Sequence, residues 1–449
     1  MSHKPDTCQL TQTGKNVNLI IDGLPVTVPE GTRILEAAKK LNITIPTLCE
    51  HPELCKRALC RICVVECDGR GKLAAACAND VWEGVSIVTN NKRLSLIRKT
   101  IVEMLLANHP QDCLKCIRNK NCELQSLALK YNIFTCSFEN GAEDTKPVIE
   151  SDTLVRDMDK CVKCARCAEA CLEVQTIGAI STARRSHDFE ICTPFKQPLE
   201  DVSCVFCGGC ASVCPVGAIY EHDQTSDVWA SLNNNSVKTI AQISPALAEV
   251  LHIKAGKLIA AVKLMGFDKV YDASVAANAA SAEICNEIKT KQKKPVVSGC
   301  AEGVSRFIKN FYPDLTNHLT TAKNIRKTFA SLIKSKYAKE AGVDQSCVTS
   351  VSFMPCIAQK YASAPDKIDF VLSAKEFLRM IKTAGIIIET LPEEKFDTIS
   401  VDLPNQDNVV KKETVSGFAQ ARKFMESIRK GECDADWIEI LSCPDGYCK

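Results

Sequence analysis

Cysteine spacing gives the first chemical signal in this chain. Cys49, Cys60, Cys63 and Cys77 run C-x10-C-x2-C-x13-C. Four thiolates from one loop and a nearby strand suit a [2Fe-2S] cluster, although the spacing differs from the plant type C-x4-C-x2-C; a structural zinc ion is the alternative. His109, Cys113, Cys116 and Cys122 then form H-x3-C-x2-C-x5-C. Alone, three thiolates and an imidazole would read as zinc, but the next runs change that reading. Cys161, Cys164, Cys167 and Cys171 form C-x2-C-x2-C-x3-C, and Cys204, Cys207, Cys210 and Cys214 repeat it, with Pro215 closing the second run where Leu172 follows the first. This is the signature of bacterial two-cluster ferredoxins, in which the fourth cysteine of each run ligates the other cluster. Ile-Gly-Ala-Ile at 177–180 and Val-Gly-Ala-Ile at 216–219 follow the runs, as an internal repeat requires.

These ligands need elements to hold them. Residues 16–41 predict a strand (Val17, Leu19, Ile21), a turn at Gly23, a second strand (Val26, Val28) and a helix from 32. That order suits a small β-grasp domain whose cluster loop follows the helix. The stripe Leu94, Ile97, Ile101 and Leu105 predicts a helix leading to His109. From 237 the pattern alternates between short apolar strands at 237–243, 295–298, 348–354 and 437–441 and helices at 245–266, 276–289, 304–311, 322–340, 374–384 and 416–430. Strands separated by helices predict parallel α/β layers. Cys300, Cys356 and Cys443 each fall just past a predicted strand, where open α/β sheets place their sites. With Cys448 they make four thiolates able to hold a further [4Fe-4S] cluster, the alternative being buried structural cysteines.

Composition agrees with metal chemistry and excludes other classes. Of 449 residues 27 are cysteine, 20 of them before residue 215. An odd count in a long chain without a secretory leader argues against a disulfide framework. A formal net charge of +2 removes the electrostatic case for nucleic acid. No apolar run nears the roughly 18 residues that span a bilayer, so no membrane insertion is expected.

Blocks at about 14–225 resemble the N-terminal half of the complex I 75-kDa subunit and the accessory region of [FeFe] hydrogenases. That resemblance implies one [2Fe-2S] cluster, a histidine-ligated [4Fe-4S] cluster at His109 and two ferredoxin-type [4Fe-4S] clusters. The remainder resembles the [FeFe] hydrogenase catalytic domain through 256–272, 310–315, Met354-Pro355-Cys356 with Lys360, 369–385 and 439–444. There the family holds a [4Fe-4S] cubane bridged to a two-iron subsite. The implied fold is α/β and α+β multidomain: a β-grasp [2Fe-2S] domain (14–90), a histidine-ligated [4Fe-4S] domain (91–150), a two-[4Fe-4S] ferredoxin domain (151–228) and a shortened, two-lobed parallel α/β hydrogenase-like domain (236–449).

Departures from the family fall on the chemistry. Where it has T-S-C-C-P, this chain reads Val297-Ser298-Gly299-Cys300-Ala301, so the proton-relay thiol is Gly299. Gln359 replaces the lysine that bonds a cyanide, and Leu441 replaces a methionine. The acidic helix keeps Glu283 and Glu287 but has Ile284 at one acidic position. The last pair is C-x4-C instead of C-x3-C, residues 403–412 replace a glycine-rich stretch, and the chain stops at Lys449 where the family continues. Losing a positioned proton-transfer group costs about 10²- to 10⁴-fold in rate. The expectation is therefore an electron-transfer protein with four [4Fe-4S] clusters and one [2Fe-2S] cluster, a cubane-only terminal site and weak or no H2 chemistry. The alternatives are a divergent active hydrogenase fed by ferredoxin or NADH, and a regulatory iron-sulfur subunit. Ferredoxin or a flavoprotein NADH dehydrogenase subunit is the expected partner, in a reducing cytoplasm or hydrogenosome-type matrix. Lys289 to Lys294 reads as a solvated helix end or a docking site for an acidic ferredoxin, and 233–235 (Asn-Asn-Asn) as a linker. Cys8, Cys55, Cys67, Cys136, Cys192, Cys285, Cys347 and Cys433 lack cluster spacing.

Overall fold

The computed structural model describes residues 14–68, 72–138, 148–290, 294–361, 368–399 and 410–443. Cys8, Cys448, the lysines at 291 and 293 and most of 403–412 lie outside them. The chain divides into two compact units: residues 1–150, 155–202 and 209–220, and residues 151–154, 203–208 and 221–449. Among the described residues no helix is long and apolar enough to cross a membrane.

In the first unit, strands β1 (Asn16–Ile21), β2 (Leu24–Pro29), β3 (Val64–Cys67), β4 (Lys72–Ala75) and β5 (Ser86–Val88) form a mixed sheet in the order β2-β1-β5-β3-β4. Alternation in β1 buries Val17, Leu19 and Ile21 and exposes the residues between. Helix α1 (Ile34–Lys40) covers that face with Ile34, Leu35, Ala37 and Ala38. Gly23 makes the expected hairpin turn with φ 82°. Helix α2 (Lys92–Ala107) is capped by the Asn91 side chain. Its buried line is Leu94, Arg98, Val102 and Ala107, so the predicted stripe is turned by part of a residue step and Ile97, Ile101 and Leu105 flank the core. Helix α3 (Glu123–Lys130) packs beside it. Short strands β6 (Ile149–Glu150), β7 (Leu154–Arg156), β8 (Ser181–Ala183), β9 (Glu190–Cys192) and β10 (Ile219–Glu221) frame the ferredoxin-like repeat, whose helices are α4 (Arg166–Glu169) and α5 (Gly209–Ser212).

The second unit has two wholly parallel sheets. One contains β11 (Lys238–Ile243), β12 (Lys269–Asp272), β14 (Val348–Phe353) and β15 (Phe370–Leu372) in the order β12-β11-β14-β15. The other contains β13 (Val296–Gly299), β16 (Lys412–Ser416) and β17 (Trp437–Leu441) in the order β13-β17-β16. The first sheet is buried on both faces, so five of the six residues in each of β11 and β14 are buried, the polar Gln242, Ser350 and Ser352 among them. On one face pack α6 (Thr225–Leu232), α7 (Pro245–Leu251), α8 (Ala255–Leu264) and α13 (Ala374–Thr383), through Val228, Leu247, Leu258 and Phe377. On the other, Phe329, Ile333 and Tyr337 meet Ile240 and Tyr271.

Several element boundaries differ from expectation. One helix over 245–266 would be about 33 Å long, beyond the reach of strands of six residues. The chain instead breaks at His252, φ 53°, giving α7 and α8. The helix expected at 322–340 begins only after Asn324 caps α11 (Ile325–Thr328), then continues through a wide turn at Phe329–Lys334 into α12 (Ser335–Ala341). The helix at 416–430 starts later, as α14 (Phe418–Lys430), because 412–416 pair with β17. Strands β12, β15 and β16 were not foreseen; they have three to five residues, and β16 buries only Val415. The asparagines at 233–235 make the turn between α6 and β11 inside this unit, not a linker. Helices α9 (Ala273–Thr290) and α10 (Glu302–Phe311) fall as expected.

Candidate metal centres

Around β3 the first four thiols meet. Cys49, Cys63 and Cys77 are buried and Cys60 is half-buried. Cys63 Sγ lies 3.4 Å from Cys77 Sγ, and Cys49 is hydrogen-bonded to both Cys60 and Cys77. Left-handed turns at Ala58 (φ 53°) and Arg61 (φ 60°) bend the loop, and the amides of Leu59 and Cys60 point at Cys49 Sγ. Those bonds hold Cys49 below the usual thiol range and push Cys60 up. Amides aimed at sulfur stabilise thiolate charge, as an iron-sulfur ligand needs. Among the described residues no group of three or more His, Cys, Asp or Glu is arranged around a single ion.

The second group sits where α2 ends and α3 begins. His109 bonds the Lys160 backbone, while its Nδ1 is buried without a partner. Burial, then the Lys160 charge, lower its pKa, so the ring is a neutral donor at pH 7. Cys113 is exposed; Cys116 and Cys122 are half-buried, with burial pushing Cys122 up. Amides of Leu124 and Gln125 face Cys122 Sγ. A Cβ at Gly217 would stand 2.8 Å from Cys116 Sγ, so only glycine leaves room for that thiol.

The repeat is visible in the backbone. Lys163 N lies 3.4 Å from Cys161 Sγ and Phe206 N 3.4 Å from Cys204 Sγ, and both residues have φ 52°. An apolar pocket in the first unit is lined by Cys161, Cys164, Cys167 and Cys214, with Pro215 and Ile191. The fourth cysteine of the second run thus joins three of the first. Burial pushes Cys164 up to about 12 and Cys167 well above the usual thiol value, so a metal bound there would have to displace their protons. Cys171 lies in a π-helical turn, Ala170–Val174, its sulfur facing the amides of Gly178, Ala179 and Ile180. Cys204 and Cys210 are buried and Cys207 half-buried.

In the second unit Cys300 follows β13, Cys356 lies three residues beyond β14 and Cys443 two beyond β17. Cys356 Sγ is 2.9 Å from Cys443 Sγ, and Ser442 N donates to Cys300 Sγ at 3.3 Å. Burial raises Cys300 and Cys356, and Cys356 also feels Cys300 and Cys207. Cys443 is disulfide-bonded in this structure, and only its reduced thiolate would ligate metal.

The positions that depart from the family pattern have definite surroundings. A Cβ at Gly299 would lie 2.3 Å from Val304 Cβ, so the valine fills the space a side chain would need. Gln359 is buried and donates through Nε2 to the Cys300 carbonyl. Arg326 holds the Gln359 carbonyl and, at 2.8 Å, that of Tyr361. Lys360 forms a fully buried pair with Glu376, Nζ to Oε1 2.9 Å. Glu287 receives Thr321 N at 2.9 Å and both threonine hydroxyls at 320 and 321; Glu283 receives Lys323 N at 3.2 Å. Both acids therefore cap the 320–323 turn, a role their place in the acidic helix did not suggest. Val304 and Arg326 carried no signal in the sequence, because each acts through a neighbour distant in the chain.

Comparisons with known proteins agree with this arrangement. The family model for the iron-only hydrogenase large subunit, C-terminal domain, matches residues 237–406 and 399–448. A 2Fe-2S iron-sulfur cluster binding domain matches 14–92, the NADH-ubiquinone oxidoreductase-G iron-sulfur binding region 98–135 and a 4Fe-4S binding domain 202–220. NADP-reducing hydrogenase subunit HndD of Solidesulfovibrio fructosivorans is 36% identical over 414 residues, 85% of this chain and 71% of the relative. Iron hydrogenase 1 of Clostridium pasteurianum is 30% identical over 403 residues, 84% and 70% of the two chains. NADPH-Fe(3+) oxidoreductase subunit alpha of Geobacter sulfurreducens is 37% identical over 210 residues, 45% of this chain and 24% of that one.

Proposed function

The chain belongs to the iron-only hydrogenase family, and we propose that it is an electron-transfer member whose terminal site takes a [4Fe-4S] cubane without the two-iron subsite. Iron-sulfur clusters supply one-electron transfer when bound. The ligand assignment is Cys49, Cys60, Cys63 and Cys77 for [2Fe-2S], within a β-grasp domain. His109 with Cys113, Cys116 and Cys122 take a [4Fe-4S] cluster, which the orphaned Nδ1 of His109 supports. Cys161, Cys164, Cys167 and Cys214 take another, supported by their shared pocket; Cys204, Cys207, Cys210 and Cys171 take the fourth on the symmetry of the repeat. Cys300, Cys356, Cys443 and Cys448 take the terminal cubane.

The observation that carries the cubane-only reading is Val304 pressed into the space beside Gly299. No side chain at 299 can hold or pass a proton, and Gln359 spends its amide on a backbone carbonyl. Of the family's two polar contacts to the subsite, the thiol is thus absent and the lysine charge is replaced by an amide with one N–H already committed. A flavoprotein NADH dehydrogenase subunit or a ferredoxin is the proposed redox partner, in a reducing cytoplasm or hydrogenosome-type matrix. Two of the relatives are named as subunits of NADP- or NADPH-linked enzymes, which supports a nicotinamide-linked complex.

Infrared spectroscopy on protein matured with the hydrogenase assembly factors tests this. The expected spectrum has no bands in the CO and cyanide stretching region, and a viologen-coupled assay yields no hydrogen. Such bands together with hydrogen evolution would establish a divergent active enzyme instead.

A further inference from the structure

Arg166 belongs to the first ferredoxin run, yet its side chain reaches the loops of two other centres. It is 4% exposed. Nη1 lies 2.6 Å from Glu123 Oε1 and Nη2 2.8 Å from Oε2, beside Cys122. Nη2 also lies 2.7 Å from the carbonyl oxygen of Glu50, beside Cys49. Its own backbone N–H faces Cys164 Sγ. One guanidinium therefore ties together residues adjacent to ligands of three centres. The apolar core around it is shared in the same way: Cys49, Cys164, Cys122, Cys161 and Cys214 pack with Leu48, Leu124 and Val162 in one cluster.

The repeat supplies an internal comparison. Each residue of the first run has its counterpart 43 positions on, and the counterpart of Arg166 is Gly209. Nothing in the symmetry of two ferredoxin halves calls for arginine there. A buried cation next to a ligand sulfur favours the more negative, reduced state of whatever that sulfur binds, because field screening is weak where water is excluded. Glu123 offsets part of this charge, but its side chain is half exposed, 46% against 5% for Arg166, and is screened. The other charges nearby are paired: Lys56 with Glu50, and Arg57 with Glu169.

We propose that Arg166 is a positioning residue that locks the Cys49, Cys122 and Cys164 loops together and, by its buried charge, raises the reduction potential of the group held by Cys161, Cys164, Cys167 and Cys214. This rests on the ligand assignment above. The test is an EPR-monitored redox titration of the cluster-loaded full chain, with Cys214→Ser identifying the signal. Arg166→Met is expected to move that midpoint to more negative potential, and Glu123→Gln to more positive potential. Arg166→Lys, which keeps the charge but not the fork, is expected to shift it least. Midpoints that stay put in both variants, or move in the same direction, overturn the proposal. If Arg166→Met fails to fold, Glu123→Gln still decides by the sign of its shift. If Cys214→Ser removes no iron and no signal, the ligand assignment itself fails, an outcome distinct from unmoved potentials.

Discussion

The ferredoxin-like repeat and the strand-end cysteine site solve the same problem of gathering sulfurs by opposite means. In the repeat, Cys161 and Cys204 each sit in a turn whose second residue has φ 52° and whose amide faces the sulfur. Three of the four thiols that line one pocket come from one short run, so local backbone geometry does most of the gathering. At the terminal site the thiols stand at the ends of strands from two different sheets, and Cys356 and Cys443 are 87 residues apart in sequence. There the sheets do the gathering, and anything that loosens them scatters the thiols. The surroundings differ too. Around Arg166 the polar network reaches into neighbouring loops, whereas beside Cys300 the space next to Gly299 is filled by Val304.

This contrast can be broken at several points. The largest effect is expected from Cys356→Ser, which removes about four irons per chain and leaves the spectra of the front clusters intact, as measured by iron analysis and EPR. Loss of front signals in the same variant would show that the regions are not separable. Next is Lys360→Met, which strands Glu376 in the core; losing one partner of a buried pair costs about 3–5 kcal/mol. In a denaturant titration the terminal cluster is then expected to bleach well before those of the repeat. Smaller again is Gly299→Ala. Its methyl collides with Val304, and overpacking of this kind costs about 1–3 kcal/mol. Adding Val304→Ala should recover part of the loss, and a double-mutant cycle on the unfolding midpoints measures the coupling. Smallest is Glu287→Gln, which keeps its place at the 320–321 turn as an acceptor. Its cost should stay within about 1.5 kcal/mol, with no change at any cluster.

Much of the first unit was legible because its signals are local. Alternation in β1 and the Gly23 turn act over a few residues, and each fell where expected. In the second unit the strands before Cys300, Cys356 and Cys443 were equally plain from their β-branched and aromatic residues, such as Val296, Val297, Val351, Phe353, Trp437 and Ile438. The failures have a common cause. The break at His252 and the late start of α14 depend on how far a helix can run before it leaves its sheet, and that length is set by neighbours. Edge strand β16 carries almost no apolar signal of its own. Glu283 and Glu287 have the pattern of an acidic path, yet their oxygens are taken up by the 320–323 turn.

By itself, then, the sequence determined where cysteines and His109 stand at spacings suited to metal ligands, because spacing is a property of the covalent chain. It also showed that position 299 has no side chain. Tertiary structure decided the rest. It set Arg166 against the residues beside Cys49 and Cys122 and placed Val304 where a thiol would have to stand. These facts depend on which distant side chains fill a given volume, and close packing settles that only once the whole unit is assembled.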